Sequence, residues 1–497
     1  MPKLSRRSTL QAISLALSSV VISLQALSLG ACSSTGTGIS TSASSPKPST
    51  AQTIPIASDA PLRPLIDAGS GLPTIIFVHG NGDNAGVWQT TLWRFESNGW
   101  PRNRLHAIDF TLPLARSEDN KEQAGRSSTA EQMRDLAAEV DRQLSLSGAK
   151  KVVLIGNSRG GYSIRNYIRN GGGKDKVAAA VLGGVPNHGV WKGSFGPTSE
   201  FNGSGAFLTQ MNSPQGPDGH EATPGVAFLT LRSDNNDKFA QPFGQWIGQP
   251  KLETGVTFEG PALIGARNLV LPGKDHREVS FHADAFAEAF RFLTGHPPTQ
   301  LGYAIEPQII LNGKILGLHD QAGTAGEPSN LGLPGARVSV YAVQPDTGMR
   351  LSGALHQKTV GTDGAWGPFE AKRDTFYEFV IEAQGFPINH FYRSPFPRAS
   401  NVIHLRPARI ADADKGASSV VTMTRPRGYF GVGRDKMSLD QQSPPPGLAP
   451  GVPGLATSKL KIAEVGRAVV TEFNSERIVA RSWPLSENRL VFVEFTQ

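Results

Sequence analysis

Apolar and polar positions follow two different periods along the first part of this chain. Between about residues 72 and 296, short runs of β-preferring apolar residues are separated by segments in which apolar residues recur every three or four positions. The short runs are typical of buried strands, and the recurring spacing is typical of amphipathic helices. Strands and helices that alternate in this way predict a mostly parallel sheet with helices on both faces.

Six runs are predicted to be strands of that sheet: 75–78, 104–110, 152–155, 176–186, 225–233 and 267–273. A helix is expected after Ser128, because Ser128 and Glu131 have the spacing of a capping box and apolar residues follow at helical intervals. A closing helix is expected over 283–295, where Gly295 and the following "HPP" end the pattern. A shorter helix is predicted at 205–212.

After about residue 300 the pattern changes to short alternating runs between turn signals, which predicts an all-β sandwich region. Within 306–407, the stretches "LPGARVSVY" and "VGTDGAWG" resemble the strands and turns of transthyretin-like and carboxypeptidase-regulatory-like modules. The aromatic residues of this module are expected to form its core rather than a ligand platform: Trp366, Phe369, Tyr377, Phe379, Phe391, Tyr392 and Phe396. More β structure is predicted from 411 to 497.

The N-terminal segment has the pattern of an export signal. Lys3, Arg6 and Arg7 precede an apolar stretch that ends at "LGAC". The stretch "SRRSTL" resembles a twin-arginine signal, and the general secretory (Sec) route remains an alternative. "LGAC" resembles the lipobox of bacterial lipoproteins, which implies a diacylated Cys32. The expected location is therefore the bacterial cell envelope, lipid-anchored on the periplasmic or outer-membrane face, or else secreted.

The patterns divide the chain into five parts: an export signal at 1–32, a flexible Ser/Thr/Pro-rich tether at 33–60, an α/β domain at 61–298, a β-sandwich at 299–410 and a further β-rich region at 411–497. Cys32 is the only cysteine, so no internal disulfide can form. The net charge is +7 without a dense stripe of lysine and arginine, which argues against nucleic acid as a partner. The sequence has no dinucleotide fingerprint, phosphate loop or zinc-spaced His/Cys cluster, so neither a cofactor nor a metal site is predicted.

The stretch "GNSRGG" at 156–161 carries the first candidate chemistry. It directly follows the run 152–155 and directly precedes a helix-length segment. A sharp turn between a strand and a helix can expose a nucleophilic serine, here Ser158, provided that small residues flank it. Gly156 and Gly160 supply that room.

A nucleophilic serine requires a base, an acid and hydrogen-bond donors for an oxyanion, and in hydrolases of this topology these groups follow a fixed chain order. His276 lies in the loop between the last predicted strand and the closing helix, and His282 is a second candidate at the helix entry. The acid is expected just after the strand 225–233, where Asp234 and Asp237 both occur.

With these elements in that order, the segment from about 72 to 296 resembles the α/β-hydrolase superfamily, and within it bacterial lipases and esterases. "VHGNG" at 78–82 resembles the HG-x motif of these lipases, which implies that the backbone amides of Asn81 and Arg159 form the oxyanion hole. "LTLRSDNNDKF" resembles the acid loop of small bacterial lipases, which favours Asp237 over Asp234.

The resemblance implies a carboxylic ester hydrolase that uses Ser158, His276 and Asp237 as a catalytic triad and forms an acyl-enzyme intermediate. Acylglycerols or other poorly soluble esters are the expected substrates. The membrane surface is an expected partner through the lipidated Cys32, and no protein partner is predicted.

Two features leave the substrate and the activity open. "GGVPNHGV" at 183–190 is similar to a stretch of lipases and of some polyhydroxyalkanoate depolymerases, and His188 within it is expected to shape a loop. The segment 190–224 is either a lid or a long packed loop; in a lid, an acyl pocket would be lined by Phe201, Phe207, Leu208 and Met211. The alternatives are a hydrolase of polyhydroxyalkanoate-type polyesters or oligomers and a catalytically inactive envelope binding or adhesion protein.

Overall fold

The computed structural model describes residue 65, residues 71–319 and residues 326–497. The predicted export signal, Cys32 and the predicted tether therefore lie outside the described residues. In the part of the chain that is described, none of the helices has the length and apolar character needed to cross a membrane.

The first part of the chain forms a parallel six-stranded sheet. In chain order its strands are β1 (Ile75–Val78), β2 (Leu105–Ala107), β3 (Val152–Asn157), β4 (Val177–Gly183), β5 (Ala227–Ser233) and β6 (Arg267–Leu271). Their order across the sheet is β6-β5-β4-β3-β1-β2, and every neighbouring pair is parallel. The chain reverses its direction of travel across the sheet between β1 and β3, and the carboxyl ends of strands at such a point are where open α/β sheets bind ligands.

Helices cover both faces of this sheet, as the sequence predicts. They are α1 (Gln89–Ser97), α2 (Thr129–Ser147), α3 (Arg159–Asn170), α4 (Ala206–Met211), α5 (Glu278–Phe281) and α6 (Ala283–Thr294). Successive residues of β1 point to opposite faces: Ile75 belongs to the core shared with α1 and α6, and Ile76 to the core shared with α2 and α3. The fold prediction for this part of the chain is confirmed.

The predicted helix termini also form. Ser128 accepts a hydrogen bond from the Glu131 amide, and the Glu131 carboxylate accepts one from the Ser128 amide, so the capping box is present at the start of α2. Gly295 ends α6 with a φ of 80°, a left-handed conformation that favours glycine.

The second part of the chain contains a seven-stranded sheet. Its strands are β7 (Arg337–Val343), β8 (His356–Thr359), β9 (Phe376–Glu382), β10 (Ile388–Arg393), β11 (Ser419–Thr424), β12 (Thr457–Ile462) and β13 (Arg489–Glu494), in the order β8-β7-β9-β10-β13-β11-β12. β13 lies between β10 and β11 and is parallel to both. The segments 299–410 and 411–497 therefore share one continuous sheet.

Shorter strands complete the β structure. A three-stranded sheet consists of Met437–Leu439, Ala468–Phe473 and Glu476–Arg481. Two-stranded ribbons pair Ile309–Leu311 with Phe369–Ala371, Leu316–His319 with Glu327–Gly332, Leu114–Ala115 with Arg126–Ser127, and Phe243–Gly244 with Gln249–Glu253. All seven aromatic residues predicted for the β core are buried there, which confirms that prediction.

The two parts of the chain pack directly on each other through α1. Trp93 of α1 belongs to the apolar core of the C-terminal region, and its indole N–H donates to the carbonyl of Ala399 over 2.9 Å. Arg398 reaches back to Glu96 of α1, with 3.1 Å between Nη2 and Oε2. The C-terminal region is thus part of the same folded body as the sheet that carries Ser158.

Candidate active site

Ser158 stands at the turn between β3 and α3, at the carboxyl edge of the sheet. Its φ of 51° and ψ of −124° lie in a region that residues with a side chain seldom adopt. The Ser158 amide donates to the carbonyl of Gly183 at the end of β4 over 3.0 Å, which holds the strained residue in place. The sharp strand-to-helix turn expected from the sequence is present.

The flanking glycines are required by the crowding around this turn. A Cβ on Gly156 would lie 2.6 Å from Cδ1 of Ile164. A Cβ on Gly160 would lie 2.5 Å from the carbonyl oxygen of Val78 and 2.6 Å from that of His79. Because Gly160 contacts backbone atoms, no side-chain movement could relieve the clash, and the absence of a side chain lets the loop after β1 lie against the serine turn.

The structure brings His276 and Asp237 together with Ser158. His276 Nε2 is 3.0 Å from Ser158 Oγ, and His276 Nδ1 is 2.9 Å from Asp237 Oδ2. An ionised carboxylate can only accept, so Nδ1 carries the imidazole proton and Nε2 is left to accept from the serine hydroxyl. His276 is 3% exposed and Asp237 is 9% exposed, which shields the contact between them from water.

The geometry distinguishes between the two candidate acids. Asp234 turns away from His276: its carboxylate accepts from the amide of Gly273 over 2.8 Å and from the amide of Asn236 over 3.1 Å. Asp237 keeps one oxygen for His276, while the other accepts from the Phe239 amide over 2.8 Å. Asp234 is therefore a loop-capping residue, and Asp237 is the carboxylate that contacts the imidazole.

The second candidate histidine has a helix-capping role. His282 is the N-cap of α6, and its Nδ1 accepts from the Asp284 amide over 3.2 Å.

The edge of the Phe239 ring packs on the imidazole of His276, with 4.6 Å between the ring centroids. The position of the His276 ring is thus fixed by two hydrogen bonds and one aromatic contact.

The loop after β1 passes directly beside the serine. A Cβ on Gly80 would lie 3.2 Å from Cβ of Ser158. The side chain of Asn81, the next residue, accepts from the Ala115 amide over 2.7 Å and so holds the loop. Within the described residues no protein acceptor is found for the Asn81 amide, and the amide of Arg159, as the first of α3, has no partner in its own helix. Both amides flank the serine turn and are available as donors.

His79, the first residue after β1, stabilises the same loop through its two ring nitrogens. It is buried, and burial lowers its pKa, so the neutral ring is favoured. Its Nδ1–H donates to the carbonyl of Gly80 over 2.8 Å, and its Nε2 accepts from the Phe110 amide over 3.1 Å. This arrangement makes His79 a structural residue of the loop.

The side chain of Arg159 has a role that sequence reasoning missed. It forms a two-pronged ion pair with Glu200, with both N–O distances at 2.7 Å, and both side chains are buried. Burial raises the pKa of Glu200, and the adjacent guanidinium opposes that effect. The pair ties the segment 190–224 to the serine turn; only the backbone amide of Arg159 was expected to matter.

The four residues proposed for an acyl pocket lie in one apolar cluster against α3. Leu208 and Met211 are buried beside Tyr162, and Phe201 and Phe207 are partly exposed at its margin. The predicted short helix is present as α4.

His188 bonds Glu221, with 2.9 Å between Nε2 and Oε1, so it holds a loop as expected. In the described part of the chain, no group of three or more His, Cys, Asp or Glu side chains is arranged to hold a metal ion.

Comparison with known proteins gives two family matches. Residues 75–300 match the alpha/beta hydrolase family, and residues 307–410 match the lipase C-terminal domain. The second match covers the module whose strands and turns resemble transthyretin-like modules.

Solved structures similar to this chain include lipases and a phospholipase. Lipase B of Aspergillus fumigatus is 17% identical, with 47% of this chain and 55% of that chain covered and a TM-score of 0.31. The Bacillus licheniformis lipase BlEst2 in its propeptide form is 19% identical, with 56% and 58% covered and a TM-score of 0.32. The Legionella pneumophila phospholipase PlaB is 11% identical, with 85% and 93% covered and a TM-score of 0.31. The chain thus spans between 55% and 58% of the length of the two lipases.

Proposed function

We propose that this chain, an α/β hydrolase of the lipase/esterase kind with a lipase C-terminal domain, is a serine carboxylic-ester hydrolase. The proposal is carried by one observation: Ser158 Oγ, the two ring nitrogens of His276 and the carboxylate of Asp237 form a continuous hydrogen-bonded series. That series is what an ester hydrolase needs to activate a hydroxyl and to transfer its proton.

In the proposed reaction, Ser158 Oγ attacks the ester carbonyl carbon while His276 Nε2 accepts the hydroxyl proton. The tetrahedral intermediate collapses, the bond to the leaving alkoxide breaks, and His276 returns the proton to that oxygen. A water molecule then repeats the sequence on the acyl-enzyme and releases the carboxylic acid. Asp237 holds the imidazole in the tautomer whose Nε2 can accept and stabilises the imidazolium that forms.

The backbone amides of Asn81 and Arg159 are proposed to bind the oxyanion of the tetrahedral intermediate. Both flank the serine, and the Arg159 amide also lies at the N-terminus of α3, where the helix dipole favours negative charge. Loss of one such donor typically raises the barrier by about 3 kcal/mol.

We propose acylglycerols or other poorly soluble esters as substrates. The lipase C-terminal domain and the partly exposed Phe201 and Phe207, which pack on Tyr162 of α3, support a ligand with an acyl chain. Attachment to the cell envelope through a lipidated Cys32 is a related proposal, supported by the "LGAC" stretch; a Cys32→Ser variant is expected to lose metabolic labelling by a radioactive fatty acid.

The test is hydrolysis of p-nitrophenyl esters from acetate to palmitate, with the Ser158→Ala variant as control. Activity in the wild type that disappears in the variant supports the proposal, and a preference for long chains supports a lipase. Hydroxybutyrate oligomers are assayed in parallel; cleavage of these alone would assign the enzyme to polyesters. No activity on either class, with both proteins folded, would favour an inactive binding protein.

A further inference from the structure

The loop that carries His276 contains two buried carboxylates whose counter-charges come from the C-terminal region. Asp275 is 0% exposed, and Glu278 is also buried. Arg425 contacts Glu278 over 2.5 Å, and Arg434 contacts Glu278 over 2.8 Å and Asp275 over 3.3 Å. Two buried acids on either side of the proposed base are therefore neutralised from a part of the chain about 150 residues further on.

Asp275 joins the backbone around His276 to the backbone of the C-terminal region. One of its oxygens accepts from the amides of Arg277 and Glu278, over 2.9 and 3.0 Å. The other oxygen accepts from the Tyr429 amide over 2.7 Å. Arg434 donates in turn to the Tyr429 carbonyl over 2.7 Å, so the position of the His276 loop depends on the position of this segment.

The ring of Tyr429 also contacts residues adjacent to both proposed catalytic partners of the serine. Lys238, which follows Asp237, places its ammonium 4.1 Å from the ring centroid. Arg277, which follows His276, places its guanidinium carbon 5.6 Å from the same centroid. Both approaches are cation–π contacts, so the acid loop and the histidine loop meet on a single aromatic ring.

The loop after β1 is joined to the histidine loop through Arg277. Arg277 donates to Asp83 over 2.5 Å and also to the carbonyl of Pro426. The Lys238 ammonium donates to the carbonyl of Gly454 over 2.8 Å. The histidine loop and the acid loop thus contact residues 426–454 of the C-terminal region directly, and the loop after β1 is joined to that region through Arg277.

We propose that the segment 425–434 is a positioning element of the active site, in which Arg434 holds the His276 loop in register with Ser158 and balances its negative charge. The proposal rests on the proposed ester-hydrolase function. It assigns the C-terminal region a direct part in the chemistry of the N-terminal domain, through contacts that do not touch the substrate.

The charge balance of the cluster makes the proposal measurable. Burial and the neighbouring Glu278 raise the pKa of Asp275 to about 6, against the opposing effect of Arg425 and Arg434. On the side of the C-terminal region, the charged groups around Asp275 are Glu278, Arg425 and Arg434, and Asp435 pairs with Arg434. On the active-site side, the charged groups form two pairs, Arg277 with Asp83 and His276 with Asp237. Removal of one cation raises the proton affinity of the whole group.

The experiment compares Arg434→Gln with Arg434→Lys and with Arg467→Gln. Arg467 is a matched control, because it pairs with Asp440 within the C-terminal region, and its side chain is 35% exposed against 23% for Arg434. Values of kcat and KM for a short, soluble ester are measured across the pH range in which the wild type is stable. Hydrogen exchange of the peptide 273–281 is measured on the same samples without substrate.

Arg434→Gln is expected to lower kcat about ten- to hundredfold with KM within about twofold, because the imidazole is displaced from Ser158 while the binding surface is unchanged. The acid limb of its kcat/KM profile is expected to move upward by about 0.5 to 1 pH unit. Exchange of 273–281 is expected to accelerate. Arg434→Lys restores the charge and returns the pH limb, but it recovers kcat only in part, because an ammonium cannot reproduce the guanidinium fork.

Arg434→Gln that matches Arg467→Gln in kcat, pH profile and exchange would overturn the proposal. If Arg434→Lys has the same lowered kcat and the same shifted acid limb as Arg434→Gln, the proposal that Arg434 balances the charge of the loop would also be overturned. Failure of the proposed function is distinguishable: the wild type would then hydrolyse no ester, and the exchange measurement would still decide whether Arg434 holds the loop.

Discussion

Replacement of Asp237 by asparagine is expected to abolish most of the catalytic rate while the fold is retained. In the wild type Asp237 Oδ1 accepts from the Phe239 amide over 2.8 Å, and Oδ2 faces His276 Nδ1 at 2.9 Å. Asparagine keeps its single carbonyl oxygen for the Phe239 amide, so its NH₂ group faces the imidazole. An N–H that points at Nδ1 moves the imidazole proton to Nε2, and Nε2 can then no longer accept the Ser158 proton.

The size of the effect follows from that change of tautomer. The corresponding substitution in a serine protease lowers kcat about 10⁴-fold, which is about 5 kcal/mol of barrier. Asp237 is also buried and holds His276 through one contact, so we expect a loss of about 10³- to 10⁴-fold here. The free energy of unfolding is expected to change by less than about 1 kcal/mol, because shape and the Phe239 bond are retained.

The assay is kcat and KM for p-nitrophenyl butyrate, with thermal unfolding measured on the same preparations. Asp234→Asn is the matched control, since Asp234 lies in the same loop but bonds the Gly273 amide instead of His276. The control is expected to stay within about tenfold of the wild type. If Asp237→Asn keeps a tenth of wild-type kcat, or if Asp234→Asn loses as much as Asp237→Asn, Asp237 does not set the tautomer of His276.

Three further predictions concern stability. Gly160→Ala places a Cβ 2.5 Å from the Val78 carbonyl oxygen and is expected to lower the free energy of unfolding in urea by about 2 to 3 kcal/mol, whereas Gly302→Ala, at a site with nothing within 4 Å, changes it by less than about 0.5 kcal/mol; equal effects would contradict the steric argument. Glu200→Gln leaves the buried Arg159 without its counter-charge and is expected to lower the free energy of unfolding by about 3 kcal/mol in the same measurement. Glu139→Gln, in a pair whose Arg142 side chain is 56% exposed, is expected to change it by less than about 0.5 kcal/mol, and a small effect of Glu200→Gln would contradict the assigned burial. Asp275 has a pKa of about 6 in the folded chain, against 3.8 for an ordinary aspartate, so between these pH values the folded chain binds a proton that the unfolded chain has lost. The stability that Asp275 contributes is therefore present below about pH 4 and is lost as the pH rises through about 6. The unfolding free energy of the wild type minus that of Asp275→Asn is therefore expected to fall over this interval, and a difference that rises with pH would contradict the assignment.

The features that could be predicted from the sequence are those fixed by residues close together in the chain. Ser128 and Glu131 specify the start of α2 because both groups of the capping box lie within one turn. Gly156 and Gly160 identify the serine turn because only small residues fit beside it. His276 could be placed because a loop between the last strand and the closing helix must lie at the carboxyl edge of the parallel sheet.

The choice between Asp234 and Asp237 needed the structure. Both lie in one loop after β5; the resemblance of "LTLRSDNNDKF" to the acid loop of small bacterial lipases favours Asp237, but no pattern of residues shows which carboxylate turns toward the sheet edge. In the structure, the carboxylate of Asp234 accepts a hydrogen bond from the Gly273 amide, and the carboxylate of Asp237 contacts His276.

Contacts between distant segments could not be predicted from local patterns. β13 inserts between β10 and β11 and so joins two segments that the sequence pattern separates near residue 410. Arg434 and Tyr429 reach a loop about 150 residues earlier in the chain. The available signal was the charge of the stretch "KDHRE" around His276, because two acids in a loop that must be buried require cations from elsewhere.

Covalent trapping of Ser158 with a p-nitrophenyl alkylphosphonate, followed by peptide mass spectrometry, tests directly whether Ser158 is the nucleophile. The serine oxygen attacks phosphorus and displaces p-nitrophenolate, so the reagent reports the nucleophile itself. We expect one p-nitrophenolate to be released per chain, the phosphonyl mass to lie on Ser158, and ester hydrolysis to be lost in step with labelling. An adduct on another residue, or full labelling elsewhere with hydrolysis retained, would contradict this expectation.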